Sequence, residues 1–290
     1  MESRHTLSAP GGATIAYRRW RCPSPTDSAP LVLVHGAASN LTRWSEFLAE
    51  TTLKSARDIL RLDLRGHGES VWRGPTSLEI WTDDIAAILG EERLPGAVLC
   101  GHCLGANVAI MFAARYPAHA AGLVLVEPML RDALRGPLGG LRRLSLPVQA
   151  VIGAIRGLNR LGLYRRRLDT LDLQALDREF RARLAEPGGA AALHKRYAST
   201  WQDLRIMPTA SYLQDMVEVT RPLPLARMGV PFLALLAAGQ AYADSERTRA
   251  ALERLPHHEI RRLECLHWIP TEQPHAMRVA IESWLGRASL

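Results

Sequence analysis

Short apolar runs alternate with helical patterns towards both ends of the chain. The apolar runs predict strands over Ala13–Trp20, Leu31–Val34, Ile59–Leu64, Ala97–Cys100, Gly122–Val126, Pro231–Ala237 and Glu259–Leu263. Apolar residues at helical spacing predict helices over Thr42–Leu53, Ser77–Leu89, Leu104–Arg115, Ser245–Leu255 and Glu272–Leu285. Because the strands are mostly apolar and helices separate them, we expect an α/β fold with a doubly wound, mostly parallel sheet.

The middle of the chain lacks this alternation. It shows no clear strand pattern, and apolar spacing predicts helices near Leu138–Leu158, Leu171–Leu184 and Thr209–Val219. Breaks fall at Pro187-Gly188-Gly189 and Pro222–Pro224. We therefore expect residues 1–129 and 226–290 to form one core domain, and residues 130–225 to be a helical cap inserted into it.

Charge and composition restrict the partners that we expect. The chain has 290 residues, 47% hydrophobic and 22% charged, which is ordinary for a globular protein. Its net charge of +7 raises the question of a nucleic-acid partner. However, the excess lies in one segment, Arg131–Arg227, which has 17 basic and 9 acidic residues. Only Lys54 and Lys195 are lysines, so an arginine-rich composition explains the charge and we expect no nucleic-acid partner.

Four cysteines in a chain of this length do not indicate a disulfide framework, so we expect a reducing, cytoplasmic compartment. No segment offers the roughly 20 apolar residues of a membrane span, and Met1–Gly12 lacks the apolar run of a secretory signal. We expect no membrane partner. No Cys or His pair has zinc-like spacing, so we expect no metal and no cofactor.

The strongest chemical signal is the segment Gly101–Gly105, which reads Gly-His-Cys-Leu-Gly. It lies directly between the predicted strand Ala97–Cys100 and the predicted helix Leu104–Arg115. A nucleophile between two glycines at such a turn stands clear of the sheet, at the N-terminus of a helix. Free N–H groups and the helix dipole favour an anion there, so Cys103 is a candidate thiolate nucleophile. The alternative is a buried structural cysteine, the role that we expect for Cys22, Cys100 and Cys265.

Three further motifs accompany this turn. They are His35-Gly36-Ala37-Ala38-Ser39, Asp63-Leu64-Arg65-Gly66-His67-Gly68-Glu69-Ser70, and His267 followed by Glu272-Gln273-Pro274. Together they resemble the α/β-hydrolase superfamily from about Thr14 to Leu285, outside the cap, with Cys in place of the usual Ser nucleophile. The resemblance implies an oxyanion hole made by the N–H groups of Ala37 and Leu104. We expect the His35 side chain and the Arg65–Ser70 loop to be structural.

The resemblance also implies a general base late in the chain and an acid that orients it. His267, between the last strand and the last helix, fits this position better than His194, His257, His258 or His275. For the acid we favour Asp244, although it would also make a good N-cap for the following helix. The alternative acid is Glu127, at the end of the preceding core strand.

A cysteine nucleophile favours particular substrates. A thiolate leaves more easily than an alkoxide, so thioesters and activated esters suit Cys103 better than ordinary esters do. We expect a thioesterase or acyltransferase that acts through an acyl-Cys103 intermediate on a small-molecule or carrier-bound (thio)ester in natural-product metabolism. The alternatives are a lyase or cyclase that eliminates an acyl group or closes a ring, and a non-enzymatic small-molecule binder.

The cap raises two further questions. Arg142-Arg143 and Arg165-Arg166-Arg167 could receive an acyl carrier protein or a coenzyme A phosphate, or could form a solvated helical face. Five cap leucines could line an acyl pocket, but we favour packing on the core; they are Leu138, Leu141, Leu144, Leu161 and Leu163.

Overall fold

The computed structural model describes residues 2–24, 26–141, 144–184, 188–189, 195–239, 241–288 and 290. Its centre is a sheet of eight strands: β1 (Glu2–Ala9), β2 (Ala13–Trp20), β3 (Leu31–Val34), β4 (Ile59–Leu62), β5 (Ala97–His102), β6 (Ala120–Val126), β7 (Phe232–Ala237) and β8 (His258–Leu263). Four residues named in the sequence-based predictions lie outside the described residues: Arg142, Arg143, Pro187 and His194.

The strand order is β1-β2-β4-β3-β5-β6-β7-β8. Strands β3 to β8 are parallel, whereas β1 and β2 form an antiparallel hairpin that pairs with β4. This confirms the predicted α/β class with a mostly parallel sheet. The sequence analysis missed β1, because only one of its eight residues is buried and its polar alternation differs from the apolar runs of the inner strands.

Helices cover both faces of the sheet, as a doubly wound fold requires. The helices outside the middle segment are α1 (Ser45–Glu50), α2 (Leu78–Glu91), α3 (Leu104–Arg115), α9 (Ser245–Leu252), α10 (Ile269–Glu272) and α11 (Pro274–Arg287). Helices α2 and α3 bury Trp81, Ile85 and Phe112 on one face of the sheet. Helices α1 and α11 bury Phe47 and Ile281 on the other, so two apolar layers enclose the strands.

Between β6 and β7 the described residues form helices and connecting loops without a sheet strand. The helices there are α4 (Gly136–Leu141), α5 (Ser145–Arg160), α6 (Leu173–Leu184), α7 (Thr200–Ile206) and α8 (Thr209–Val219). The single helix predicted near Leu138–Leu158 is therefore two helices, α4 and α5. None of the helices in the described residues combines the length and the hydropathy that a membrane crossing needs.

Candidate active site

The Gly101–Gly105 segment forms a sharp turn between β5 and α3. Cys103 lies in this turn with φ of +53°, a backbone conformation that residues other than glycine rarely adopt. A Cβ atom at Gly101 would lie 2.1 Å from the carbonyl oxygen of Gly105, and one at Gly105 would lie 2.3 Å from that of Val34. Both positions therefore need glycine, and the turn presents the half-buried Cys103 side chain to a cavity.

His267 lies between Cys103 and a carboxylate. Its Nδ1 atom is 3.1 Å from Oε2 of Glu127, and the imidazole also interacts with the Cys103 side chain. Because Nδ1 faces the carboxylate, Nε2 is the nitrogen left for the sulfur. Burial alone would lower the pKa of His267, but the hydrogen bonds and charges of Cys103 and Glu127 raise it to about 10. This environment stabilises an imidazolium beside Cys103.

Glu127 is held firmly in this position. It directly follows β6 with φ of +51°, and its N–H donates to the carbonyl of Leu235 at 2.9 Å. Its second carboxylate oxygen accepts a hydrogen bond from the N–H of Ala237 on β7. The carboxylate thus bridges two neighbouring strands and the imidazole.

The preference for Asp244 as the carboxylate on His267 is wrong in this structure. Asp244 caps α9 instead, where its Oδ1 atom accepts hydrogen bonds from the N–H groups of Glu246 and Arg247, both at 3.1 Å. The alternative named from the sequence, Glu127, makes the contact with the imidazole. Asp244 suited both roles by its place in the sequence, and only the fold shows that the cap role holds it.

The loop that carries His267 is anchored by Glu272. The Glu272 carboxylate accepts hydrogen bonds from three consecutive backbone N–H groups, those of Leu266 (2.9 Å), His267 (3.1 Å) and Trp268 (2.9 Å). The side chains of Tyr242 and Trp268 meet the imidazole edge to face, with ring centroids 4.8 and 5.5 Å from it. These contacts fix the ring between the sulfur and the carboxylate.

The predicted oxyanion donors lie beside Cys103. A Cβ atom at Gly36 would lie 3.3 Å from the Cβ atom of Cys103, so the loop that contains Ala37 passes directly along the nucleophile. Leu104 begins α3 immediately after Cys103. Neither the Ala37 N–H nor the Leu104 N–H has an acceptor within the described part of the chain. Two such donors suit a negatively charged oxygen.

Two motif histidines hold the surrounding turns. His35 is fully buried; its Nε2 accepts a hydrogen bond from the N–H of Leu64, and its Nδ1 donates to the carbonyl of Gly36. The Nε2 atom of His67 is 2.7 Å from Oδ2 of Asp215 on α8, and both side chains are buried. Burial alone would lower the pKa of His67, but the Asp215 carboxylate raises it. Both histidines therefore have structural contacts, as predicted for His35 and the Arg65–Ser70 loop.

A cavity of about 610 Å³ opens at Cys103 and His267. Residues of the middle segment make much of its wall, and most of them are apolar. The apolar side chains lining it include Met129, Leu138, Leu141, Leu171, Leu173, Leu176, Ile206, Met216 and Val219. Polar groups also line it, among them Arg43, Arg196 and Asp203. This volume and lining are typical of a small-molecule site.

The cap leucines divide between two environments. Leu138 and Leu141 line the cavity, whereas Leu144, Leu161 and Leu163 are exposed. The prediction that all five pack on the core is therefore wrong for these last three. Arg165, Arg166 and Arg167 are exposed as well.

The remaining candidate residues have other surroundings. Among the remaining cysteines, Cys100 is buried within β5, and burial raises the pKa of its thiol. Cys22 and Cys265 are partly buried, and no disulfide joins the four. His257 and His258 lie at the start of β8 and His275 on α11. Within the described ranges no three metal-binding side chains come together.

Sequence reasoning overlooked two aromatic contributors. Tyr242 and Trp268 line the cavity and contact the imidazole, but neither belongs to a motif. Trp268 could have been inferred from its place next to His267. Tyr242 comes to the site because the N–H of Arg135 bonds to its carbonyl and the N–H of Asp244 bonds to that of Ala133. This pairing links segments about a hundred residues apart, so no local pattern reveals it.

Comparison with known proteins agrees with this architecture. A family model described as the alpha/beta hydrolase family matches residues 31–280. Among solved structures, a thermophilic esterase from Thermogutta terrifontis has a TM-score of 0.69 at 23% identity, covering 99% of this chain and 100% of that one. The enol-lactonase from Burkholderia xenovorans LB400 has a TM-score of 0.69 at 17% identity, covering 98% and 100%.

Two curated relatives match this chain over a shorter stretch. An sn-1-specific diacylglycerol lipase from Danio rerio is 30% identical over 37% of this chain and 34% of its own length. The dihydrolipoyllysine-residue acetyltransferase component of an acetoin cleaving system from Pseudomonas putida is 33% identical over 44% of this chain and 35% of its own length. The chain therefore matches only about a third of each of these two proteins.

Proposed function

This chain belongs to the alpha/beta hydrolase family, and on that premise we propose that it is a thioesterase or acyltransferase that works through an acyl-Cys103 intermediate. The observation that carries the proposal is the alignment of Cys103, His267 and Glu127 at an apolar cavity. The substrate class is a small-molecule or carrier-bound (thio)ester of the kind found in natural-product metabolism.

In the first step, the Cys103 sulfur attacks the carbonyl carbon of the bound thioester. The imidazolium form of His267, favoured by its raised pKa, holds at Nε2 the proton that the leaving group later takes. The N–H groups of Ala37 and Leu104 stabilise the negative oxygen of the tetrahedral intermediate. Collapse breaks the bond to the leaving thiol, which takes the proton from His267, and leaves an acyl group on the Cys103 sulfur.

In the second step, the acyl group passes to an acceptor. His267, now neutral, removes a proton from water, an alcohol, an amine or a thiol as that group attacks the acyl carbon. Glu127 accepts the Nδ1–H hydrogen bond and stabilises the imidazolium that forms. The thiolate of Cys103 then leaves and regains its place beside the imidazolium, which completes the cycle.

The nucleophile supports transfer from thioesters over hydrolysis of ordinary esters. In a tetrahedral intermediate formed from an alkyl ester, the thiolate is the better leaving group, so the intermediate returns to substrate. A thioester donor also releases a thiolate, so its leaving group departs from the intermediate about as readily as the Cys103 sulfur does. The partial similarity to an acetyltransferase component from Pseudomonas putida is consistent with transfer chemistry on a related sequence.

Intact-mass spectrometry tests the proposal directly. The protein is incubated with medium-chain acyl thioesters of N-acetylcysteamine and of coenzyme A, quenched in acid and weighed. We expect one acyl adduct on the wild type and none on Cys103→Ala. Cys100→Ala and Cys265→Ala are the matched controls, because each removes another thiol and should retain the adduct.

Other outcomes would overturn the proposal. Product formed without an adduct, even on rapid quenching, would favour a lyase or cyclase that uses the Cys–His pair for proton transfer. Tight binding without turnover or adduct would favour a non-enzymatic small-molecule binder. Comparison of kcat/KM for the free, coenzyme-bound and carrier-bound donors then identifies the form in which the acyl group arrives.

A further inference from the structure

The outer surface of the middle segment is unusually apolar. Ten large apolar side chains are exposed in the part of the chain that the structure describes, and seven of them lie between Leu144 and Tyr164. Leu146 is 82% exposed and Leu161 is 76% exposed. Isolated exposed apolar residues are ordinary on protein surfaces, but a group of seven within 21 consecutive positions marks an interaction site.

Helix α5 is apolar on two adjacent sides. Its inner side, with Val148, Ile152 and Ile155, packs against α8. Val151 and Leu158 lie about a quarter turn round the helix and are exposed, together with Pro147 and Ala154 at the same helical spacing. The inner side accounts for the packing of the helix, so the outer side needs a separate explanation.

The same segment of the chain carries unpaired positive charge. No acidic residue occurs between Asp132 and Asp169, a stretch that contains eight arginines. Arg160, Arg166 and Arg167 are exposed and form no ion pair within the described ranges, whereas many arginines elsewhere in the chain do. Apolar side chains flanked by unpaired arginines are typical of segments that lie in the interface of an anionic membrane.

We propose that residues 144–167 form a docking surface for an anionic lipid membrane. The exposed leucines would enter the boundary between headgroups and acyl chains, and the arginines would contact the lipid phosphates. This proposal differs from the sequence-based expectation that the chain has no membrane partner. The residues on either side of this segment in the sequence line the cavity, so docking would hold the cavity wall close to the lipid; they are Pro137, Leu138 and Leu141 before it and Leu171, Leu173 and Leu176 after it.

Charge argues against a second copy of this chain as the occupant. In a two-fold dimer the same patch meets itself, so the arginines of one copy would face the arginines of the other. Like charges at such short distances are unfavourable. An anionic lipid surface provides the missing negative charge and accepts apolar side chains without requiring a shaped groove.

Vesicle co-sedimentation of the full chain tests the proposal. We expect binding to phosphatidylcholine vesicles that contain phosphatidylglycerol, weaker binding to pure phosphatidylcholine, and loss of the difference at high ionic strength. Each arginine near an anionic surface contributes about fivefold to the partition coefficient. Replacing Arg160, Arg166 and Arg167 by Gln should therefore weaken binding by on the order of 100-fold. Circular dichroism checks that the variant is folded.

Two matched control variants test whether vesicle binding depends on residues 144–167 or only on the total charge and the number of exposed apolar groups. The triple variant Arg4→Gln, Arg227→Gln and Arg254→Gln removes the same charge from exposed positions elsewhere and should bind vesicles much as the wild type does. The variant Leu146→Gln, Leu158→Gln and Leu161→Gln should lose binding even at low ionic strength. Val71→Gln with Val279→Gln removes exposed apolar groups elsewhere and should retain it.

Three results would overturn the proposal. The first is that wild type fails to bind either kind of vesicle, and the second is that both charge variants weaken binding equally. The third is a stable dimer in light scattering that Leu146→Gln and Leu161→Gln disperse, because a second copy would then cover the surface. In the first case, arginine-dependent binding to an acyl carrier protein would identify a protein as the occupant instead. Vesicle binding does not depend on acyl transfer, so the two proposals fail separately.

Discussion

At the scale of single residues, the site depends on how one imidazole is held. His267 lies between the Cys103 side chain and the Glu127 carboxylate, and Glu272 ties down the loop on which it stands. The sequence sufficed to select Cys103 and His267, because each lies in a motif with a defined strand or helix beside it. It did not select Glu127 first, because the identity of the carboxylate depends on which strand ends meet.

We therefore predict that Glu127→Gln lowers kcat by about 10²- to 10⁴-fold, because an amide cannot stabilise the imidazolium in the same way. The amide oxygen can still accept from Ala237, so the fold should persist. Asp244→Ala should leave kcat unchanged and lower the free energy of unfolding by about 1 kcal/mol through loss of the helix cap. Steady-state kinetics and urea unfolding measure both. A larger kinetic loss in Asp244→Ala would restore Asp244 as the acid.

A second prediction concerns pH and stability. The pKa of His267 rises from an ordinary value of about 6.5 to about 10 in the folded protein, so the folded state binds the proton more tightly than the unfolded chain. This stabilisation is complete below about pH 6.5 and is lost progressively as the pH rises to about 10. We expect the difference in free energy of unfolding between wild type and His267→Gln to shrink over that range. A difference in free energy of unfolding that is constant or grows with pH would contradict a raised pKa for His267.

At the scale of elements, close approach between a strand and a helix sets the position of the nucleophile. Gly105 lets α3 approach the carbonyl groups at the end of β3, and Gly101 lets β5 approach α3. Several elements were predicted with their observed bounds, namely Leu31–Val34, Leu104–Arg115 and Thr209–Val219. These have continuous apolar or helical patterns, whereas β1 was missed because an edge strand can remain mostly polar.

This geometry predicts opposite effects for two glycine-to-alanine changes. In Gly105→Ala the new Cβ would lie 2.3 Å from the carbonyl oxygen of Val34, so the variant should lose about 3 kcal/mol or more of stability. In Gly90→Ala, near the end of α2, the new Cβ meets no atom within 4 Å. That variant should gain about 0.5–1 kcal/mol from improved helix propensity. Urea unfolding measures both, and a similar effect of the two changes would contradict the tight turn.

At the scale of the whole molecule, buried ion pairs fasten the middle segment to the sheet domain. Arg43 bonds to both carboxylate oxygens of Asp177 on α6, at 2.9 and 2.7 Å, and both side chains are only 3% exposed. His67 and Asp215 make a second such pair with α8. The helical character of this segment was predictable from its spacing. These pairings were not, because each joins residues more than 130 positions apart.

Removing one partner of the Arg43–Asp177 pair should be costly, because the other charge stays buried without compensation. We predict that Asp177→Asn lowers the free energy of unfolding by about 3–5 kcal/mol. Glu179→Gln on the same helix breaks only an exposed pair with Arg183 and should cost less than about 0.5 kcal/mol. Thermal and urea unfolding of the two variants give the comparison. Equal losses would mean that the buried pair does not fasten this helix.

The sheet domain and the middle segment supply different parts of the site, and this has an evolutionary consequence. The eight strands that the structure describes, and with them Cys103, Glu127 and His267, lie outside residues 130–225, while much of the wall that meets the substrate lies within that segment. Evolution could therefore lengthen, shorten or replace that segment and change the substrate, while the reacting groups stay the same. In this arrangement, selection for specificity and selection for reactivity act on different parts of one gene.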